Sequence, residues 1–339
     1  MIGIPNVDVG ILTERDVSFH FNGDYRCLET GRTHTGQQHA TLQDGRIALD
    51  GHTFDTLHFE PTDPSDSFDL RGVTIGVHFH WERREDQRFR GALILTPSSD
   101  GVLVVNRIDV ESYLESVISS EMSATSSPEL LRAHAVISRS WLLAQIEKRQ
   151  APVDAKAESC SQDDEGLVRW YDREDHTRFD VCADDHCQRY QGITRATTPA
   201  VEEAVRATCG EVLTDEGRLC DTRFSKSCGG VTECFEYCWE PVHHRYLVAL
   251  RDSRTSDTPV PDLTNEAEAD RWIRSAPEAF CHTTDEGILS QVLNNYDLET
   301  PDFYRWTVEY TQDELADLIR RKSGIDFGAI LNLQAVERG

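Results

Sequence analysis

The chain has 339 residues, with 34 Lys+Arg against 60 Asp+Glu and a net charge of −26 at pH 7. That sign excludes nucleic acid as the main partner, because phosphate binding needs a basic stripe, and it disfavours anionic lipid. Apolar residues make up 38% of the chain, enough for a packed core, and the length suits about two domains at ~150 residues each.

No stretch reaches the roughly 18 consecutive apolar residues of a transmembrane helix. The start, MIGIPNVDVGIL, lacks a basic region followed by a long apolar run, so no signal peptide is visible. The ten cysteines are too dilute for a disulfide scaffold, yet enough for a few bridges, a metal site or both.

The first hundred residues read as β-rich. Val7–Leu12, Val17–Phe21, Thr74–His80, Gly91–Leu95 and Val102–Val105 carry strand signals,. Asn22-Gly23-Asp24, Gln43-Asp44-Gly45, Asp50-Gly51 and Ser99-Asp100-Gly101 punctuate them as turns,. Glu82–Asp86 reads as a solvated turn. His78 and His80 fall on one strand face, as a half-exposed surface or a metal pair.

The texture changes at Asp109. This residue caps a short helix carrying Val110, Tyr113, Leu114 and Val117 at helical spacing,. A polar break, Ser119–Ser123, follows. Ser127 caps a long helix with Pro128 at its first position, running to about Arg149,. Residues 151–180 are polar and read as a loop or insertion. Thr198 and Pro199 open a shorter helix closed by Gly210. Strands are expected near residues 211–214 and 218–224. Residues 252–270 read as a surface excursion. Thr311–Glu314 is a capping box, and Gly324 ends that helix,. This order predicts an α+β fold: a β-rich region over 1–100, then a mixed body with a long central helix over 101–339. Within that body, 252–310 reads as an insertion.

One carboxylate stands out. Glu121 lies in the polar connection between two helices, beside Met122. Desolvation there would raise its pKa and suit it to protonate a glycosidic oxygen. The plainer reading is an acid that complements the dipole of the following helix. Spacing alone leaves both open.

A second cluster packs His176, Cys182, His186 and Cys187 into twelve residues. Two His and two Cys are a familiar tetrahedral zinc set, although this is not zinc-finger spacing. A disulfide, or free thiols beside surface histidines, is the alternative. Cys209 and Cys220 flank an expected hairpin and could bridge it. Cys228, Cys234 and Cys238 lie close in sequence to His243 and His244 and raise a second metal site.

Four ordered segments resemble the SpoIID/LytB family (stage II sporulation protein D and amidase enhancer). They are Tyr113-Leu114…Val117…Glu121-Met122, Ala133-His134-Ala135…Arg139, Gln188-Arg189-Tyr190-Gln191-Gly192 and Phe224-Ser225-Lys226-Ser227-Cys228-Gly229-Gly230. Position 134 departs, since the family usually has Gln there. The resemblance implies a lytic transglycosylase of peptidoglycan glycan strands. Glu121 would be its single acid and base, and the product would be 1,6-anhydroMurNAc. It implies glycan contacts from Ser225, Lys226, Ser227, Tyr190 and Arg139, with Arg139 better suited to hold the core. It also implies a structural zinc and an extracytoplasmic location. The rival it implies is a non-catalytic peptidoglycan-binding module that enhances a cell-wall amidase. The family normally continues into further strands, so the last ten residues read as a strand cut short. Against an anionic polymer, the −26 charge predicts a neutral or basic groove near Lys226 and Glu121.

Overall fold

The computed structural model describes residues 4–77, 81–150, 160–162, 167–169, 176–195, 198–254, 259–294, 297–299 and 303–334. The chain divides into two compact units: Met1–Arg223 with Glu286–Glu299, and Phe224–Asp285 with Thr300–Gly339. The first is α+β, as expected. His78 and His80 lie outside the described residues.

Among the described residues of the first unit, ten strands precede any helix. They are β1 (Asn6–Glu14), β2 (Asp16–Cys27), β3 (Thr33–Gln43), β4 (Arg46–Leu49), β5 (His52–Phe54), β6 (Leu57–Pro61), β7 (Ser67–Ile75), β8 (Arg83–Arg90), β9 (Ala92–Pro97) and β10 (Val102–Asp109). Then come α1 (Val110–Glu121), α2 (Pro128–Gln150), the short pair β11 (Cys160–Gln162) and β12 (Leu167–Arg169), β13 (Val181–Cys182) and α3 (Pro199–Ala207).

The sheet runs β13-β1-β10-β9-β6-β2-β3-β4-β5, with β7 joining β2 and β8 joining β7. On the edge away from β3, β2 serves two neighbours. Its first half pairs with β7, Phe19 opposite Leu70. Its second half pairs with β6, Tyr25 opposite Pro61. The register of β2 against β3 shifts between Phe21 and Tyr25, and Gly23 there has φ 134°. Such a bulge bends the strand, which lets one ribbon belong to two parts of a sheet. The turns after β3 and β4 place Asp44 and Gly45, then Asp50 and Gly51, at positive φ. Both central residues of a tight hairpin turn need that conformation.

The alternation of β1 buries Val7 and Val9, while β2 buries Val17, Phe19 and Phe21. Aromatic rings then carry the core from sheet to helix. Phe68 stacks on Phe89 at 5.5 Å, Phe89 meets Tyr190 at 5.8 Å, and Tyr190 stacks on Tyr113 of α1 at 5.0 Å.

Three local expectations change. Glu82–Asp86 is not a turn, because Arg83–Arg90 is a strand paired along β7. Its outward positions are charged, while Gln87 and Phe89 point inward and are buried. The polar break at Ser119–Ser123 begins later than expected, because α1 continues through Glu121. Ser119 stays helical and buried by donating its hydroxyl to the Glu115 carbonyl at 2.6 Å. The expected strands after Gly210 shrink to β14 (Thr214–Asp215) and β15 (Arg218–Leu219).

The second unit contains α4 (Phe235–Cys238), α5 (Glu266–Arg274) and, after the first unit's α6 (Glu286–Val292), α7 (Gln312–Ser323). Thr311 and Glu314 form the capping box on α7, and Gly324 closes it at φ 77°. No helix among the described residues is long and apolar enough to cross a membrane.

Candidate functional site

Glu121 is the last residue of α1. Asp109 starts that helix by accepting the Ser112 N–H. Val110, Tyr113, Leu114 and Val117 then bury its apolar face. Glu121 is itself only 8% exposed. Its Oε1 accepts the backbone N–H of Arg189 at 2.8 Å. A buried carboxylate held by a backbone donor has a fixed orientation, which acid–base chemistry requires.

The segment that supplies this donor also holds the His/Cys cluster. β13 adds parallel to β1, pairing Cys182 with Gly10. The chain then turns tightly, with Cys187 N–H donating to the Asp184 carbonyl at 3.0 Å and Tyr190 N–H to the Ala183 carbonyl at 2.9 Å. Asp184 accepts the N–H groups of Gly76 and Val77 at 3.1 and 3.0 Å. The donor atoms of His176, Cys182, His186 and Cys187 all lie within 4.8 Å of one another. Cys182 Sγ is 3.9 Å from His186 Nδ1. Cys187 Sγ is 3.4 Å from the same nitrogen and 3.3 Å from His176 Nε2. Tetrahedral zinc with sulfur and nitrogen ligands sets such edges at roughly 3.3–3.8 Å, so the four side chains fit the ion. A hydrogen bond from Cys187 pulls the Cys182 thiol well below its ordinary range. The same bond, with burial, pushes Cys187 up.

Gly10 makes room for this loop. A Cβ there would sit 2.6 Å from the Phe179 ring, and Phe179 packs on His176 at 4.5 Å. From Cys187 the chain reaches Glu121 in two residues. Gln188 accepts the Tyr113 hydroxyl at 3.2 Å, and Arg189 follows with its N–H on Glu121. The Arg189 guanidinium pairs with Asp185 and Asp297 and lies 4.6 Å from the Trp81 ring.

Sequence reasoning missed one contributor. Residues 286–299 return to the first unit and close the Glu121 end of α1. Asn294 donates to the Ser120 carbonyl at 2.6 Å. Ser123 N–H donates to the Val292 carbonyl at 3.1 Å, and the Ser126 hydroxyl to the Gln291 carbonyl at 2.9 Å. No local signal marks this return, because each bond spans more than 160 residues.

The other named residues sit as follows. Arg139 is 1% exposed, with a two-pronged bond to Glu111 at 2.9 and 2.6 Å and a third bond to the Glu211 carbonyl. It is a core anchor and offers no surface to a glycan. Tyr190 is equally enclosed, donating to Asn106 at 2.6 Å. The substrate contacts expected of these two are corrected to packing roles, since neither side chain reaches solvent. Ser225, Lys226 and Ser227 belong to the second unit, where Ser225 is exposed and the other two are half-buried. Cys209 and Cys220 are separate thiols rather than a bridge. Cys228, Cys234, Cys238, His243 and His244, which raised a second metal site, do not gather into one donor group among the described residues: His243 pairs with Glu236 at 2.7 Å, and Cys228 falls with Asp252 and Cys281.

The first unit is thus an α+β body that presents a buried helix-end carboxylate beside a four-donor zinc-type cluster. Residues 98–214 match the family described as stage II sporulation protein, SpoIID, so this segment is a SpoIID domain. Residues 233–339 match a domain of unknown function, DUF8618. The chain is also similar to an uncharacterized protein of Brachyspira hyodysenteriae, at 28% identity over 148 residues, 44% of this chain and 33% of the relative. The match therefore spans about a third of that protein's length.

Proposed function

We propose that the chain is a lytic transglycosylase of peptidoglycan glycan strands, acting outside the cytoplasm. The SpoIID domain supports a cell-wall-related role. The observation that carries the finer reading is Glu121: one buried carboxylate, at a helix end, oriented by the Arg189 N–H at 2.8 Å. Hydrolytic glycosidases use two carboxyl groups. A single group suffices when the sugar supplies its own nucleophile. Protonated Glu121 gives its proton to the oxygen between MurNAc and GlcNAc, and the C1–O bond breaks. The resulting carboxylate takes the proton from the C6 hydroxyl as that oxygen bonds to C1. The products are a 1,6-anhydroMurNAc end and a free GlcNAc end, and Glu121 is again protonated.

His176, Cys182, His186 and Cys187 would hold a zinc ion. With four protein donors that ion supplies a cross-link and leaves no position for a reacting water. These residues fix the turn that presents the Arg189 N–H to Glu121.

Digestion of peptide-free glycan strands by wild type and Glu121→Gln, read by mass spectrometry, tests the reading. Anhydro-muramyl products from wild type alone are expected. Reducing-end products would replace it with hydrolysis. No product from any glycan, together with binding, would favour an amidase-enhancing module. Chelation should unfold the first unit; lost activity with the fold intact would move the chemistry to the metal.

A further inference from the structure

We propose that Cys228, Asp252 and Cys281 form a second metal site, one that takes a thiophilic divalent ion such as zinc and pins the loop carrying Ser225, Lys226 and Ser227. All three residues lie in the second unit, so the site is independent of the His/Cys cluster and of the activity proposed for Glu121. Their donor atoms lie within 4.8 Å of one another, and all three side chains are half-buried. The two sulfurs are 3.7 Å apart. Two thiolates on one tetrahedral zinc sit about 3.8 Å apart, from Zn–S bonds of about 2.3 Å. A disulfide would need about 2.05 Å.

The surrounding chain builds this cradle. Val231 and Arg251 form an antiparallel bridge, which draws residue 252 alongside the loop at 228–230. The Asp252 N–H donates to the Gly230 carbonyl at 3.0 Å, and its own carbonyl accepts the Phe280 N–H at 3.2 Å. Its Oδ2 accepts the Cys281 N–H at 2.8 Å. Asp252 is therefore fastened to both cysteine segments, and a backbone donor orients its carboxylate as outer-shell partners orient metal ligands.

The loop itself is tightly held. Gly229 and Gly230 have φ 68° and 103°. A Cβ on Gly230 would lie 2.8 Å from the Tyr304 hydroxyl. Arg305 donates to the Gly229 carbonyl at 2.8 Å. Two thiolates and a carboxylate select zinc over magnesium or calcium, which prefer all-oxygen shells. Among the described residues the site offers three protein donors, and water completes the tetrahedron.

The test is zinc stoichiometry of the full chain, purified with thiols reduced and zinc added, by elemental mass spectrometry. Wild type should carry two zinc ions. Cys228→Ser with Cys281→Ser should carry one, and Cys182→Ser with Cys187→Ser should also keep one. A Cys228→Ser/Cys281→Ser protein that retains the wild-type metal content overturns the proposal. So does a wild-type mass lower by two hydrogens with a cross-linked peptide joining Cys228 to Cys281, which would mark a disulfide. Should the Cys182/Cys187 variant fail to fold, cobalt(II) titration decides: thiolate-to-cobalt absorbance in wild type must fall by about half in Cys228→Ser/Cys281→Ser. Unchanged absorbance refutes the site.

Discussion

His134 offers a sharp test of how the first unit is held together. It lies on α2 and is 2% exposed. Burial pushes its imidazole down from 6.5 to about 4. The folded protein therefore keeps this ring neutral, while the unfolded chain protonates it near pH 6.5. The sign follows from that order. The contribution is fully present above pH 6.5 and is lost as pH falls toward 4, because the unfolded state then binds the extra proton. The gap from 6.5 to about 4, at about 1.4 kcal/mol per unit, amounts to about 3–4 kcal/mol at the acid limit. At pH 5 the loss is about 2 kcal/mol by the same linkage. His134→Gln removes the titrating group. Urea unfolding of wild type and variant at pH 7 and pH 5 isolates the term, since every other acid titrates alike in both. The variant should gain about 2 kcal/mol on wild type between those pH values. A difference that stays flat would refute the claim that burial keeps the ring neutral.

Three other outcomes are expected. Arg139→Ala empties the enclosed guanidinium site and leaves the half-buried Glu111 carboxylate without its two-pronged partner; it should cost about 3 kcal/mol, the low end for breaking an enclosed ion pair, read by denaturant unfolding; Arg139→Lys, which cannot reproduce the fork, should restore only part of it. Gly10→Ala drives a methyl to 2.6 Å from Phe179 and should cost about 1–3 kcal/mol, with weaker zinc retention at His176 in competition with a chelating dye. Asn294→Ala removes the donor to the Ser120 carbonyl and should cost about 1–2 kcal/mol. Faster hydrogen exchange at the end of α1 and in α6 would register it, with β1 and β10 unchanged.

What was legible in the sequence is what local chemistry specifies. Asp109 accepts the Ser112 N–H because a helix start needs an acceptor at that offset. Thr311 and Glu314 reciprocate as their spacing requires. Asp44-Gly45 and Asp50-Gly51 turn as aspartate–glycine pairs do. The His/Cys cluster was readable for the same reason, since its four donors fall within twelve residues. Illegible features depend on distant partners. The charged run at Glu82–Asp86 looks solvated until β7 pairs with β8. Ser119 and Ser120 look like a break until the hydroxyl of Ser119 turns back on its own helix. Arg139 and Tyr190 carry the family pattern, yet only packing shows that both are enclosed.

The return of residues 286–299 has a consequence for biosynthesis and for cloning. The Ser120 carbonyl meets its donor on a residue 174 positions later. A nascent chain therefore cannot complete the Glu121 end of α1 when the SpoIID segment leaves the ribosome. It must first extrude residues 224–285, which belong to another unit, and then thread back. Expression of residues 98–214, or of anything ending at Arg223, would deliver the carboxylate on an unfinished helix. The shortest fragment that keeps this end of α1 intact runs past Asn294 and carries the intervening 224–285 with it.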